Sequence, residues 1–424
     1  MGINTFPAPS SSGVNYSAGA TGSKPGSPTT GQTFYDTTLD ILQIWDGSSW
    51  NAVNNSILAP TWTTASGSLG SVGAGNTFSF TVAATSVYGL TITYTSLDNP
   101  EWVTINSSTG AITGTAPAYT GTSDTYSFSV SAYDGSNVAQ RTFSITSLQV
   151  VAGRIYVAAG GGSGAAYDNN TNVAVGGGGG GGLIEQVFNL PIGVSIPITV
   201  GAGGAALSYI SPVNSGFGNK GSNSTFNTSI IAYGGGGGGN YGGGVNATYM
   251  GGGSGGGRGG GTNGAAGGLG VSGQGNNGGG TNHADQYGAG GGGGAGSAGG
   301  SSTNGTYANG NGGAGGSAGN VAYGVQLCAG GGGSAQVTPG TGGTNAGTGG
   351  FSGNAATSGT ANRGGGGGGA YSTYNSGAGG SGVVIVRWLE SDRGTATATT
   401  GSPSYTTNGG YRYYTFNSSG SITL

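Results

Sequence analysis

Residues 173–204 read VAVGGGGGGGLIEQVFNLPIGVSIPITVGAGG, seven consecutive glycines running straight into apolar, strand-like sequence. The juxtaposition recurs as AYGGGGGGNYGGG at 232–244 and NRGGGGGGAYSTY at 362–374. A flexible tether accounts for one glycine run, because Gly-rich linkers behave as coils. It does not account for repeats that carry Tyr167, Tyr209, Phe217, Phe226, Tyr233, Phe351 and further tyrosines between them. Glycine appears consecutively or as GG and GGG groups rather than at every third position, which excludes a collagen helix.

An ordered glycine run faces a specific energetic problem. Fixing a backbone costs roughly 1–2 kcal/mol per residue, glycine loses more freedom than any other type, and it has no side chain to bury. Only backbone hydrogen bonds, about 0.5–1.5 kcal/mol net each, and Cα–H···O contacts remain to offset that cost. Nearly every N–H and C=O must therefore be paired. One polyproline-II-type strand makes no internal hydrogen bonds, but several packed side by side bond to one another, provided no Cβ stands between them. The expected structure is a bundle of polyglycine-II-like helices, with larger side chains confined to the perimeter and the connecting tips.

Composition is compatible with packing. Glycine contributes 106 of 424 residues, 5% of residues are charged, and the formal net charge is −3. Disordered chains usually combine low hydrophobicity with high net charge, and this chain has little self-repulsion. The nine basic residues are scattered, whereas nucleic-acid binding needs clustered Lys and Arg. No apolar run reaches the length of a transmembrane helix, so no membrane insertion is expected. The amino end, MGINTFPAPSSSG, has neither a basic n-region nor an apolar h-region and is not expected to act as a secretory signal. A single cysteine, Cys328, excludes an intrachain disulfide.

Outside the glycine region the pattern is all-β, with little or no α-helix. Residues 1–23 read as an irregular arm. Residues 24–56 read as a small β module: Gln32–Tyr35, Leu39–Trp45 and Ser49–Val53 form a three-stranded meander around Phe34, Tyr35, Trp45 and Trp50. Residues 57–149 carry short alternating strands separated by Gly, Ser, Asn and Asp turns, the signature of a β-sandwich. Residues 150–390 form the glycine-rich domain. Its bracketing segments, GRIYVAAGGG at 153–162 and GSGVVIVRWLE at 380–390, are expected to pair. LIEQVFNLPIGVSIPITVGAGG and GNKGSNSTFNTSIIAYGGGG read as hairpins feeding the bundle. Residues 391–424 form a final hairpin, turned at Asn408–Gly409–Gly410.

Three resemblances carry further implications. Gly31, Phe34, Tyr35, Asp36, Thr37, Leu42, Ile44, Trp45, Asp46, Gly47 and Trp50 resemble a short module of tailed-phage virion proteins, which implies virion attachment through Phe34, Tyr35, Trp45 and Trp50. Trp102, Ile105, Thr109, Gly110, Ile112, Gly114 and Thr115, followed by Tyr126, Phe128, Val130, Ala132 and Asp134, resemble cadherin-like or Ig-like repeats of bacterial and phage surface proteins. Ala116 interrupts that pattern before Pro117. The segments at 157–162, 198–204, 221–226, 232–239, 379–388 and 411–424 resemble the glycine-rich domain at the receptor-facing end of tailed-phage fibres and adhesins. That likeness implies a homotrimer on a virion.

The chemistry of the chain points to binding rather than turnover. One histidine, His283, and one cysteine do not make a zinc site of the usual kind. Asp98, Glu101 and Asp134 lack the acidic clusters of calcium-dependent cadherins. Glycoside hydrolysis needs two carboxylates, and between residues 186 and 389 Asp285 stands alone. No cofactor and no enzymatic activity are expected. Between the glycine runs lie segments of Tyr, Asn, Ser, Thr and Gly, the vocabulary of antibody paratopes. Tyr241, Tyr249, Tyr287, Tyr307, Tyr323, Tyr371 and Tyr374 are the candidate receptor contacts. The expected partners are other virion proteins and a host-surface glycan or outer-membrane protein. The alternative is a capsid or tail decoration protein with no receptor of its own.

Overall fold

The computed structural model describes residues 17–424 apart from 40, 54–57, 88, 118–122, 168–171, 209–215, 243, 245, 262–263, 283–286, 304–309 and 322–323. The chain divides into two compact units, Met1–Gln149 and Val150–Leu424. It is nearly all β: among the described residues the one α-helix is the single turn Ala247–Met250, capped by Asn246, whose side chain accepts from the amide of Thr248. No helix there is long and apolar enough to cross a membrane.

In the first unit, Thr33–Asp36, Ile41–Trp45 and Trp50–Ala52 form the expected meander, but a fourth strand joins it. Ser17–Gly19, from the arm expected to be irregular, pairs in parallel with Thr33–Asp36. Asp36 explains the difference. Its carboxylate is fully buried, accepts from Thr21 Oγ1 at 2.9 Å and from the amides of Thr38 and Leu39, and pairs with Lys24 at 3.3 Å. Sequence patterning reads strands from side-chain alternation, and the small polar residues of the arm carry none.

The sandwich pairs Gly67–Gly73, Val138–Leu148, Ser123–Tyr133 and Thr93–Ser96 in one sheet, and Val103–Ile105, Ala111–Thr115 and Thr77–Thr81 in another. Inward positions of successive strands supply Phe78, Ile112, Phe128, Val130, Phe143 and Ile145 to the core, and Trp62 meets Phe143 edge-on at 5.4 Å. Gly110 turns its hairpin at φ +69°, and a Cβ there would sit 2.2 Å from the carbonyl oxygen of Val82. Asp134, considered above for calcium, instead closes its own hairpin by accepting from Ser136 N, Asn137 N and Ser86 Oγ.

Two five-stranded sheets form the base of the second unit. One contains Leu183–Pro191, Val150–Ala158, Val383–Leu389, Tyr411–Phe416 and Ser404–Asn408, in that order. The bracketing segments are neighbours in it, in register from Gly153 opposite Trp388 to Ala158 opposite Val383. The carboxyl-terminal hairpin extends the same sheet, and Gly409 and Gly410 turn it with φ +57° and +79°. The other sheet contains Ile230–Ala232, Ser224–Phe226, Ser195–Thr199, Gly420–Thr423 and Ala398–Thr400. Ile155, Val384, Trp388 and Phe416 of the first pack on Ile196, Ile198, Phe226 and Ile422 of the second. Residues 183–199 are therefore not the hairpin expected from sequence. Leu183–Pro191 and Ser195–Thr199 turn at Gly193, φ +76°, into different sheets. Both strands alternate correctly for a hairpin, and a second apolar layer outcompetes that pairing.

The glycine runs form the predicted bundle, with 176–182 as its hub. The amides of Gly176, Gly179 and Gly182 donate to the carbonyls of Gly239, Gly236 and Tyr233; those of Gly177 and Gly180 donate to Gly290 and Gly293; and those of Gly178 and Gly181 donate to Gly367 and Gly364. Every third residue thus faces the same neighbour, as three residues per turn require. The hub carbonyls are used with the same period. Gly176, Gly179 and Gly182 accept from Ala165, Gly162 and Ala159; Gly177 and Gly180 accept from Gly257 and Ser254; and Gly178 accepts from Gly331. One glycine helix is surrounded by six.

Candidate binding surface

The bundle has two unlike ends. At one, Ala158 leads into Ala159, Gly182 into Leu183 and Gly382 into Val383, so the glycine helices grow directly out of the sheets. At that end Val321, Leu327 and Cys328 cover Tyr156, Val383, Ile385 and Tyr413. At the other end the helices reverse in turns, and tyrosines gather there. Ala174 bridges Tyr371. The amide of Ser372 donates to Val173 O, that of Gln336 to Tyr287 O, and those of Val337 and Thr338 to Gly310 O. These bonds fasten neighbouring turns to one another rather than leaving each to itself.

Within this end, Tyr241 meets Tyr167 in a T-shaped contact at 5.6 Å, and both pack with Leu207 on Ala165, Ala166, Val175 and Ala370. Gly261 accommodates the Tyr241 ring, since a Cβ there would lie 2.5 Å from it. Tyr287 and Tyr374 are half-buried, and Val337, next in the chain to the Gln336 that bonds Tyr287, is exposed. Tyr371 differs: it is 2% exposed and clusters with Ala174 and Ala289. As a core residue it supports the turns and offers no face to a ligand, which corrects its candidacy as a contact. Burial follows from its neighbours, because Ala174 and Ala289 of adjacent segments pack against the ring.

Tyr249 lies elsewhere, on the flank. It is 44% exposed and stacks on Phe217 with ring centroids 5.3 Å apart and planes 10° from parallel. Tyr307, Tyr323, His283 and Asp285 lie outside the described residues. Sequence reading passed over Phe217, Tyr167, Leu207 and Val337 as site residues, although each flanks a glycine helix as closely as the chosen tyrosines do. In the first unit, Phe34 is 1% exposed and forms the module core against Trp50 at 5.9 Å, so it supports any attachment surface rather than making one. Trp45 and Trp50 pair across strands at 5.7 Å and, like Tyr35, remain half-buried.

Electrostatically the bundle is almost neutral. Arg258, 1% exposed among glycine backbones, has its guanidinium lowered below the ordinary value by burial. Burial pushes the Cys328 thiol up to about 12, so it is protonated and inert at neutral pH. Among the described residues no three His, Cys, Asp or Glu side chains converge as a metal site would require. The surface can offer aromatic faces, amides and hydroxyls.

Comparison with known proteins agrees with this division. A family model described as "Putative Ig domain" matches residues 60–148. No curated protein matches the chain. Among solved structures, human protocadherin-24 EC1-2 shares 12% identity over 34% of this chain and 66% of its own, with a TM-score of 0.19. Mouse cadherin-23 EC22-24 shares 13% over 45% and 61%, with a TM-score of 0.19. An endo-fucoidan hydrolase of glycoside hydrolase family 107 shares 17% over 26% of this chain and 18% of its own, with a TM-score of 0.20. Superpositions this loose carry no argument about function. A model described as "Glycine-rich domain" matches residues 137–389, more than half of the chain, and the protein belongs to that family.

Proposed function

We propose that the protein is a virion fibre or adhesin of a tailed phage, attached to the particle through residues 1–56 and binding a host-surface glycan or outer-membrane protein through the turns of its glycine-rich domain. The observation that carries this reading is the gathering of Tyr167, Tyr241, Tyr287 and Tyr374 at the end of the bundle opposite its sheets, on a scaffold fixed by backbone hydrogen bonds. Rigid aromatics with adaptable polar neighbours make effective contacts. A homotrimer would multiply weak single contacts into useful avidity. The Trp45–Trp50 pair supplies the module with an apolar surface for a virion partner.

A second reading, a structural decoration protein, is favoured by one observation: Tyr371 is spent on packing. Binding of the labelled full chain to a panel of bacterial envelopes separates the two. Saturable binding to particular envelopes, reduced by Tyr287→Ala and Tyr374→Ala with unchanged melting, supports the adhesin. Absence of binding to every envelope, with the chain found on capsids or tails, supports decoration.

A further inference from the structure

The flank of the bundle carries a groove distinct from the tip. Its cavity, about 330 Å³, is lined by Lys220, Asn223, Tyr233, Leu269 and glycine backbone. The three-residue repeat places its features in line. The carbonyls of residues 216, 219 and 222 accept from the amides of Ala166, Ser163 and Gly160, three positions of one neighbouring helix, while Gly218 and Gly221 donate to Gly238 and Gly235. Phe217, Lys220 and Asn223 are left on the third, outward side, successive turns of one ridge spanning about 19 Å at ~3.1 Å per residue. The Phe217–Tyr249 stack marks one end. Tyr233, 43% exposed, marks the other, next to Asn223, whose Oδ1 accepts from the amide of Gly234. Tyr233 is held firmly: its amide donates to Gln274 Oε1 and its carbonyl accepts from Gly182.

We propose that this groove binds an acidic oligosaccharide. The wall amides of Gly221, Gly234, Gly251, Gly252, Gly270 and Val271 already donate within the chain. A peptide added as a strand needs a run of amides to pair with, and those six are already engaged. A carbonyl oxygen has two lone pairs, so the walls still accept from a ligand that brings its own hydroxyl donors. The electron-rich ring face of Tyr233, which lines the groove, attracts the weakly positive C–H face of a pyranose. Lys220 is the one charged residue among the described lining residues, exposed and midway along the ridge. It selects a sugar that carries a carboxylate. This assignment stands on the flank geometry and does not depend on the role of the tip.

The test is titration of the full chain with oligogalacturonate and oligosialate, with malto- and cello-oligosaccharides as neutral counterparts. Lys220→Gln, Lys220→Arg and Tyr233→Ala alter exposed side chains, and native melting confirms that each variant is folded. At least one acidic oligosaccharide is expected to bind, with affinity reduced about tenfold or more by Lys220→Gln, kept by Lys220→Arg and reduced by Tyr233→Ala. Equal binding of neutral and acidic sugars, binding indifferent to Lys220→Gln and Tyr233→Ala, or no binding of any acidic sugar overturns the proposal.

Discussion

A Cβ added to Gly178 would stand 2.1 Å from the carbonyl oxygen of Gly162, while Gly162 itself donates to the carbonyl of the next hub residue, Gly179, at 2.9 Å. The missing side chain and the hydrogen bond are one feature, because backbones can bond at this spacing only where nothing projects between them. The same holds around the hub. A Cβ on Gly180 would lie 2.3 Å from Cys328 O, and one on Gly176 would lie 2.0 Å from Gly257 O. In each case the obstacle is backbone, which cannot rotate aside.

Gly178→Ala is therefore expected to destabilise the second unit by more than the ~1–3 kcal/mol typical of overpacking a side-chain core, with a large fall in its melting temperature. Gly394→Ala meets nothing within 4 Å and has no positive φ, so its melting should stay near that of the parent. Equal melting of the two variants would mean that the hub is not close-packed.

Tyr371→Ala and Tyr249→Ala should differ sharply in their effect on stability. Removing a fully buried aromatic costs about 3–5 kcal/mol, and Tyr371 is 2% exposed. Tyr249 sits on the flank, so its loss should leave stability within about 1 kcal/mol. Thermal denaturation of both variants makes the comparison.

Cys328 should resist thiol reagents in the native protein and react on unfolding, because it is fully buried and its thiol is pushed up to about 12 by burial. It lies between Leu327, which covers the first sheet, and Ala329 of the glycine bundle, so labelling kinetics report opening at that junction. Prompt labelling under native conditions would show the junction to be open.

The arm at 17–24 should detach in acid. Burial pushes the Asp36 carboxyl up, and bonds from Thr21, Leu39, Lys24 and Thr38 more than offset it, leaving it below its ordinary value. A depressed folded value means that this contribution is fully present above about pH 4, the ordinary carboxylate range, and is lost as pH falls through the folded value. Asp36→Ala, which removes the acceptor of Thr21 Oγ1 and the partner of Lys24, should release the arm at neutral pH. Hydrogen exchange at Thr37, whose amide donates to Gly19 O of the arm, checks both; unchanged protection in the variant would show that the carboxylate does not hold the arm.

Much of the architecture was legible because it follows from local rules. Alternation at 123–148 gave the sandwich strands, Gly409–Gly410 gave the last hairpin, and the lack of side chains at 176–182 demanded neighbours on every side. What sequence did not disclose was set by distant partners. The pairing of Ser17–Gly19 depends on Asp36, and Ser195–Thr199 leaves Leu183–Pro191 for a sheet built partly from residues 420–423. The candidate surface was only partly readable for the same reason. Tyr371 and Tyr374 share a segment and a composition, yet one is buried by Ala174 and Ala289 and the other remains half-open. The groove beside Lys220 joins residues 220, 233 and 269, which no local pattern links.

The central claim is that a side-chain-free segment is held by bonds to six neighbours. Amide hydrogen exchange of residues 176–182 in the native full chain tests it most directly. The bundle predicts slow exchange across all seven amides, comparable with the core strand Val383–Leu389. Exchange at the rate of an unstructured glycine chain, while that strand remains protected, would contradict it.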